Sequence, residues 1–176
     1  MHILVIPANF RTNNMKTLFL VRHAKSSWKH EGLKDIDRPL KKRGIRNAEF
    51  MAKILKKSDN IPEVIISSTA IRAYDTSKLF AEEFGIEDII VNEQLYMADY
   101  DDFISVIKDV PGGINRLMIF SHNPGITYLA STLGKKDIEN IPTCGIVRID
   151  FECSHWNEVK AENGIFIFFE YPKKYE

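Results

Sequence analysis

Two arginines and two histidines in this 176-residue sequence stand where they can act together. Arg22 and His23 open the stretch Arg22-His23-Ala24-Lys25-Ser26, directly behind the apolar run Leu18 to Val21. Arg72 follows a second apolar run, Val64 to Ile66, and the turn Ser67-Ser68-Thr69. His122 belongs to Ser121-His122-Asn123-Pro124-Gly125, behind the run Leu117 to Phe120. Guanidinium groups grip tetrahedral oxyanions through paired N–H donors, and imidazole serves as nucleophile when neutral and as proton donor when charged. Taken singly, a histidine behind a strand is a turn residue and an arginine is a surface charge. Taken together, the four are suited to holding and transferring a phosphoryl group. His2, His30 and His155 lie in the N-terminal segment or in polar loops and are given no role.

Other phosphate chemistries leave no trace. No GxxxxGK[ST] loop occurs, and Gly134-Lys135-Lys136 follows a helical pattern where a nucleotide loop would precede one. Arg148 is too near Cys144 for a cysteine phosphatase loop, and no GxSxG elbow is present. Asp99, Asp101 and Asp102 open a helical stretch, where carboxylates complement the helix dipole, so no metal is assigned to them. Cys144 and Cys153 lack CxxC spacing and read as buried free thiols of a reducing compartment.

The elements that must position these residues alternate. Leu18 to Val21, Val64 to Ile66 and Leu117 to Phe120 read as buried strands, and Ile89 to Val91 as a further short strand. Between them lie helical periodicities. The first spans Pro39 to Lys57, with Asp37 as its cap, and the next carries Ala73 to Phe84 and stops at Gly85. A third follows from Phe103, Val106, Ile107 and Val110. Pro124 opens a fourth, through Leu133, with Gly134 as its stop. Val147, Ile149 and Phe151 then alternate with polar residues, and Gly164 to Phe169 forms another strand, an expected antiparallel pair at one side of the sheet. The fold class is α/β: a three-layer sandwich whose mostly parallel sheet is covered by helices on both faces. In such sheets ligands sit beyond the carboxyl ends of the strands, where all four candidates fall.

Hydrophobic residues make up 44% of the chain, enough for one sizeable core, so residues 15–176 are expected to form a single domain. Met15-Lys16-Thr17 resembles a natural start, and residues 1–14 are expected to be an extension outside the fold. Lys plus Arg number 24 and Asp plus Glu number 24, so no net field draws the chain to nucleic acid or an anionic membrane. No apolar run reaches membrane-spanning length, and a cytoplasmic location is expected.

Leu20-Val21-Arg22-His23-Ala24 resembles the Arg-His-Gly signature of the histidine phosphatase superfamily, with alanine in the glycine position as in its SixA-type phosphohistidine phosphatase branch. Ser67 to Thr76 resembles the family's second motif, which supplies an arginine, and Ser121 to Gly125 the third, which supplies the second histidine. The resemblance implies a phosphoglycerate mutase-like fold and catalysis without a cofactor or metal. It implies that His23 takes the phosphoryl group and that water then releases it. Arg22, Arg72 and a protonated His122 hold the phosphoryl oxygens. Many members protonate the leaving oxygen with a carboxylate, for which Glu93 in Asn92-Glu93-Gln94-Leu95-Tyr96 is the candidate. Ser26, with Lys25 and Asn123, stands beside the motifs as a further substrate contact, and Ser26 to Arg38 forms a loop over the site, with Trp28 at its mouth.

The substrate is expected to be a protein phosphohistidine, because the chain is too short to build a cap over an enclosed metabolite. The alternatives are a phosphatase of a small phosphate ester or phosphosugar, and a phosphate-binding module without turnover. The oligomeric state is left open.

Overall fold

A computed structural model describes residues 15–28 and 32–176. The expected extension at residues 1–14, His2 within it, and His30 lie outside the described residues. The strands are β1 (Met15–Arg22), β2 (Val64–Ser68), β3 (Ile89–Asn92), β4 (Arg116–Ser121), β5 (Ile146–Glu152) and β6 (Gly164–Glu170). The helices are α1 (Lys42–Lys57), α2 (Ile71–Phe84), α3 (Tyr100–Lys108) and α4 (Gly125–Gly134). The six strands form one sheet in the order β3-β2-β4-β1-β5-β6. Strands β1 to β4 run parallel, and β5 and β6 add antiparallel at one side, as expected.

This order places the three motifs side by side. Strand β4 lies between β2 and β1, and in its register Arg22 is opposite Ser121 while Ser67 is opposite Phe120. The ends of all three strands therefore reach the same edge of the sheet, although their motifs are far apart in sequence.

Both faces of the sheet are covered, which explains why its central strands are apolar at nearly every position. Phe19, Val21, Ile65, Met118 and Phe120 face α1 and α2, where they join Met51, Leu55 and Phe80. The alternate residues Leu18, Leu20, Ile66, Leu117 and Ile119 face α3 and α4 and join Phe103, Ile107, Leu129 and Trp156. Each fully buried side chain of this size contributes about 1.5–3 kcal/mol through removal from water. Among the described residues no helix is long and apolar enough to cross a membrane.

Helix α1 starts later than its sequence suggests. Pro39 is not its first residue, and Asp37 caps nothing; Asp37 ends a short 3-10 turn, Asp35–Asp37, and the helix begins at Lys42. The reason is tertiary. Leu40 forms an antiparallel bridge with Ser26, the Lys41 N–H donates to Lys25 O, and the Ser27 N–H donates to Pro39 O, so this segment is extended against the loop behind β1. Gly44 permits that contact, because a Cβ there would lie 2.3 Å from Lys25 O. At the other end of the chain of elements, Gly134 is the last residue of α4 and Lys135 takes the left-handed position beyond it, with φ 49°.

The carboxylates at the start of α3 serve the helix. Asp99 accepts from the Asp102 N–H while Asp102 accepts from the Asp99 N–H, a reciprocal capping box.

Candidate active site

His23 follows β1 directly and is held at both ring nitrogens. Nδ1 lies 2.8 Å from Ala24 O, a carbonyl that can only accept, so Nδ1 carries the proton. Nε2 is then left with its lone pair, which accepts from Arg72 Nε at 3.3 Å. The backbone around it is fixed as well: the His23 N–H donates to Ser121 O and the Ala24 N–H to Thr76 Oγ1. Thr76 in turn donates to Arg72 O one helical turn back, tying the first motif to the second. Cys144, buried and with φ 63°, donates its N–H to Arg22 O and His23 O from the segment ahead of β5. Its thiol is pushed far up by burial and is a packing group.

Arg72 sits in the first turn of α2 and is buried. Its Nη1 donates to Asp35 O at 2.6 Å and its Nη2 to Asp35 Oδ2 at 2.9 Å. Arg22 donates from Nη1 to Ile141 O at 2.8 Å. His122 stacks obliquely on His23, with ring centroids 5.1 Å apart. Its Nε2 lies 2.8 Å from Ser68 Oγ, which also accepts from the Ala70 N–H; when the serine hydroxyl donates to Nε2, the His122 proton resides on Nδ1. Behind it, Gly125 lets the start of α4 approach Ala98, since a Cβ there would meet Ala98 O at 2.0 Å.

Two buried side-chain polar atoms have no protein partner among the described residues: Arg22 Nε and His122 Nδ1. Arg22 Nε carries a hydrogen, as does His122 Nδ1 when Ser68 donates to Nε2, and both residues line the same cavity. An oxyanion seated there would satisfy them.

Both histidines are neutral. Burial, chiefly, lowers the His23 pKa to about 3, and the Arg72, Arg22 and Arg38 charges act in the same direction. Burial likewise lowers His122 to about 3, assisted by His23 and Arg72. In this structure His122 is therefore a neutral ring, whereas the resemblance implies an imidazolium when phosphoryl oxygens are held there. Neutrality of His23 is what an attacking lone pair requires.

The cavity has a volume of about 940 Å³ and is lined by Arg22, His23, Ser26, Arg72 and His122, with Lys25 and Asn123 also on its wall. The four motif residues and Ser26 are thus brought together. Ser26 Oγ accepts from Arg38 Nη2 at 2.8 Å, which makes it a loop anchor as well as a wall residue. Glu93 is not brought in: it is exposed in a short turn behind β3 and is absent from the cavity lining. The chain after Glu93 bends so that Leu95 enters the core and Tyr96 reaches the site instead.

Sequence reasoning missed Asp35, Arg38, Ser68 and Tyr96. Asp35 Oδ1 accepts from Arg38 Nη1 at 2.8 Å, and Oδ2 accepts from both Arg72 Nη2 and Tyr96 Oη, each at 2.9 Å. These donors, from Arg38 first, hold its pKa down at about 2 despite an opposing burial effect. Arg38 also donates to Ser27 O and lies 3.3 Å from the Trp28 ring centroid, so it gathers the loop around itself. The available signal was an arginine beside a proline inside a long loop over the site.

The sequence profile described as histidine phosphatase superfamily (branch 1) matches residues 18–106, half of the chain. The chain belongs to the histidine phosphatase superfamily. An uncharacterized protein of Mycobacterium leprae is 30% identical over 166 residues, covering 87% of this chain and 100% of that one. An uncharacterized chloroplastic protein of Arabidopsis thaliana is 31% identical over 163 residues, covering 87% of this chain and 74% of its own. Among solved structures, a chain of Agrobacterium tumefaciens assigned to the SixA phosphohistidine phosphatases superposes with a TM-score of 0.76 at 26% identity, over 89% of this chain and 98% of that one. The protein histidine phosphatase SixA complexed with tungstate shares the fold, with a TM-score of 0.76 at 20% identity over 91% of this chain and 99% of that one. Family and fold together support a phosphatase enzyme with the phosphoglycerate mutase-like architecture.

Proposed function

We propose that this histidine phosphatase acts on phosphohistidine carried by a protein, with His23 as the nucleophile. The observation that supports the substrate class is the state of Asp35, the cavity carboxylate hydrogen-bonded to Arg72. Both of its oxygens already accept hydrogen bonds, from Arg38 on one side and from Arg72 and Tyr96 on the other. A carboxylate so held is an acceptor and cannot supply the proton that an alkoxide leaving group needs. A phosphohistidine protonated at its far ring nitrogen leaves as neutral imidazole and takes no proton at the breaking bond.

The steps balance on the same geometry. His23 Nε2 forms a bond to phosphorus as the P–N bond to the substrate breaks, while its Nδ1–H stays on Ala24 O. Arg22, Arg72 and the His122 Nδ1–H hold the equatorial oxygens through donors already in place, which lowers the barrier without reorganisation. Water then attacks phosphorus, the Nε2–P bond breaks, His23 leaves as neutral imidazole, and the water proton goes to the phosphate. Ser26 contributes by fixing the loop wall through Arg38.

The mouth of the cavity supports a bulky substrate. Trp28, Met97 and Tyr128 line it and are largely exposed, offering apolar surface around the phosphoryl site. The test is a comparison of kcat/KM for a phosphohistidine protein with that for small phosphate esters and phosphosugars. A preference of several decades for an ester would overturn the substrate class. Burst release from a chromogenic phosphate ester, lost in His23→Ala, separates turnover from simple phosphate binding.

A further inference from the structure

A guanidinium presents two usable edges, an end edge formed by Nη1 and Nη2 and a side edge formed by Nε and Nη2. In Arg72 the end edge is spent on one residue: Nη1 donates to the Asp35 carbonyl at 2.6 Å and Nη2 to the Asp35 carboxylate at 2.9 Å. The side edge is turned toward the nucleophile, with Nε 3.3 Å from His23 Nε2. A phosphoryl group bonded to Nε2 meets that edge, where Nε–H and the second Nη2 hydrogen can each donate to an oxygen.

Asp35 is itself immobilised from its own turn and from the segment behind β3. Arg38 Nη1 donates to Oδ1 and Tyr96 Oη donates to Oδ2. Arg38 is anchored to Ser27 O and Ser26 Oγ, and Tyr96 packs edge-on against His122, with centroids 5.7 Å apart. The grip on Arg72 is therefore built from the loop behind β1 and from the turn behind β3, both of which border the site.

We propose that Asp35 is a positioning residue that aims the side edge of Arg72 at the phosphoryl group on His23. The proposal rests on the phosphoryl-transfer reading above for its kinetic consequence, but its geometric content stands apart from turnover. Arginine side chains lose much rotamer freedom when fixed, and Asp35 supplies that fixation before substrate arrives. Its negative charge also offsets part of the Arg72 charge, which weakens ground-state attraction for an anion. Removing it therefore separates kcat from KM: alignment is lost while attraction is kept.

The experiment uses Asp35→Ala and Asp35→Asn in the full chain, both checked for cooperative melting. Steady-state kinetics on phosphohistidine protein are expected to give kcat lowered roughly 10- to 100-fold in Asp35→Ala, the scale of a misplaced catalytic group, with KM unchanged or lower. Asp35→Asn, which keeps an oxygen acceptor, is expected to lie between wild type and alanine. An Asp35→Ala/Arg72→Ala double variant is expected to be no slower than Arg72→Ala alone. Nitrogen-15 spectra of the arginine side chains give a readout free of turnover: resolved Arg72 Nη signals in wild type, assigned through Arg72→Lys, are expected to collapse to an averaged signal in Asp35→Ala. An unchanged kcat, additive losses in the double variant, or unchanged Arg72 signals would each overturn the proposal. Wild-type protein inactive on every phosphoryl donor would instead sink the phosphatase reading and leave the spectra to decide the role of Asp35.

Discussion

Arg72 Nε donates to His23 Nε2 across 3.3 Å, so the arginine of the second motif caps the lone pair that the first motif prepares for attack. In the proposed mechanism a phosphoryl group arriving at Nε2 takes over that donor, and the arginine becomes a ligand of the transferring group as charge develops on it. Arg72→Ala is expected to lower kcat about 10²-fold or more, the scale for losing one transition-state donor. Arg72→Lys is expected to recover little, because an ammonium cannot donate to His23 and hold Asp35 at two points. Retained activity in Arg72→Ala, measured on phosphohistidine protein, would remove this residue from the site.

Ser68 Oγ lies 2.8 Å from His122 Nε2, and by donating there it would hold the ring proton on Nδ1. Ser68→Ala frees the ring to place its proton on either nitrogen, so the Nδ1–H that meets a phosphoryl oxygen is present only part of the time. A loss in kcat of roughly tenfold is expected, smaller than the loss for His122→Ala, since a donor is weakened rather than removed. Equal rates for Ser68→Ala and wild type would show that the tautomer is set by other means.

Glu93 offers a contrast in what a sequence position promises. It follows β3 at the place where a proton donor was expected, yet it is exposed and outside the cavity lining. Glu93→Gln is expected to leave kcat/KM within about twofold of wild type on phosphohistidine and on an alkyl phosphate alike, the behaviour of a surface substitution. A selective loss on the alkyl phosphate would restore the glutamate as its acid.

The histidines also set an acid limit on stability. Their folded pKa values of about 3 lie below the value near 6.5 of an unfolded chain, so between those pH values the unfolded state binds protons that the folded state does not. Stability therefore rises with pH through this window and falls as the solution is acidified below about 6.5. Asp35, lowered to about 2, adds a loss of the same sign at still lower pH. Thermal melts between pH 7 and 4 are expected to show a steep fall in Tm that is shallower in the double variant His23→Asn/His122→Asn. Parallel profiles for the two proteins would assign the acid sensitivity elsewhere. By the same token the acid limb of kcat/KM attributable to free His23 lies well below 6.5.

What could be read from the sequence depended on whether a residue's role was local. Leu18 to Val21 and Leu117 to Phe120 are apolar at every position because both faces of the sheet are covered, and that pattern carries its own evidence. The strand-end rule then located His23, Arg72 and His122 without knowledge of their distances. Asp35 was not legible, because its role arises from contacts with Arg72 and Tyr96 that are made only when three segments converge. The start of α1 was misread for a related reason. Pro39 suits a first helical turn locally, but the bridge between Ser26 and Leu40 holds that segment extended. Local preference is a weak term and tertiary pairing overrode it.

That bridge depends on Gly44, and the dependence leads to a test linking fold to site. The first turn of α1 approaches the loop behind β1 so closely that a Cβ at Gly44 would lie 2.3 Å from Lys25 O and 3.0 Å from Lys25 N. Both atoms are backbone, so relief requires either the helix or the loop to move. The Lys25 carbonyl accepts the Lys41 N–H, and the next residue, Ser26, bridges to Leu40 and binds Arg38, so displacement there reaches the Asp35 clamp. Gly44→Ala is expected to cost about 1–3 kcal/mol of stability, the scale of an overpacked contact, and to lower kcat as well. Gly85→Ala is the control: it also perturbs a glycine, at φ 73°, but with nothing within 4 Å of the added Cβ and no contact with the site. It is expected to cost about 1 kcal/mol from backbone strain alone and to leave kcat unchanged. Denaturant melts and kcat measured on both variants decide the matter. Loss of stability without loss of kcat in Gly44→Ala would mean that the loop absorbs the shift before it reaches Arg38.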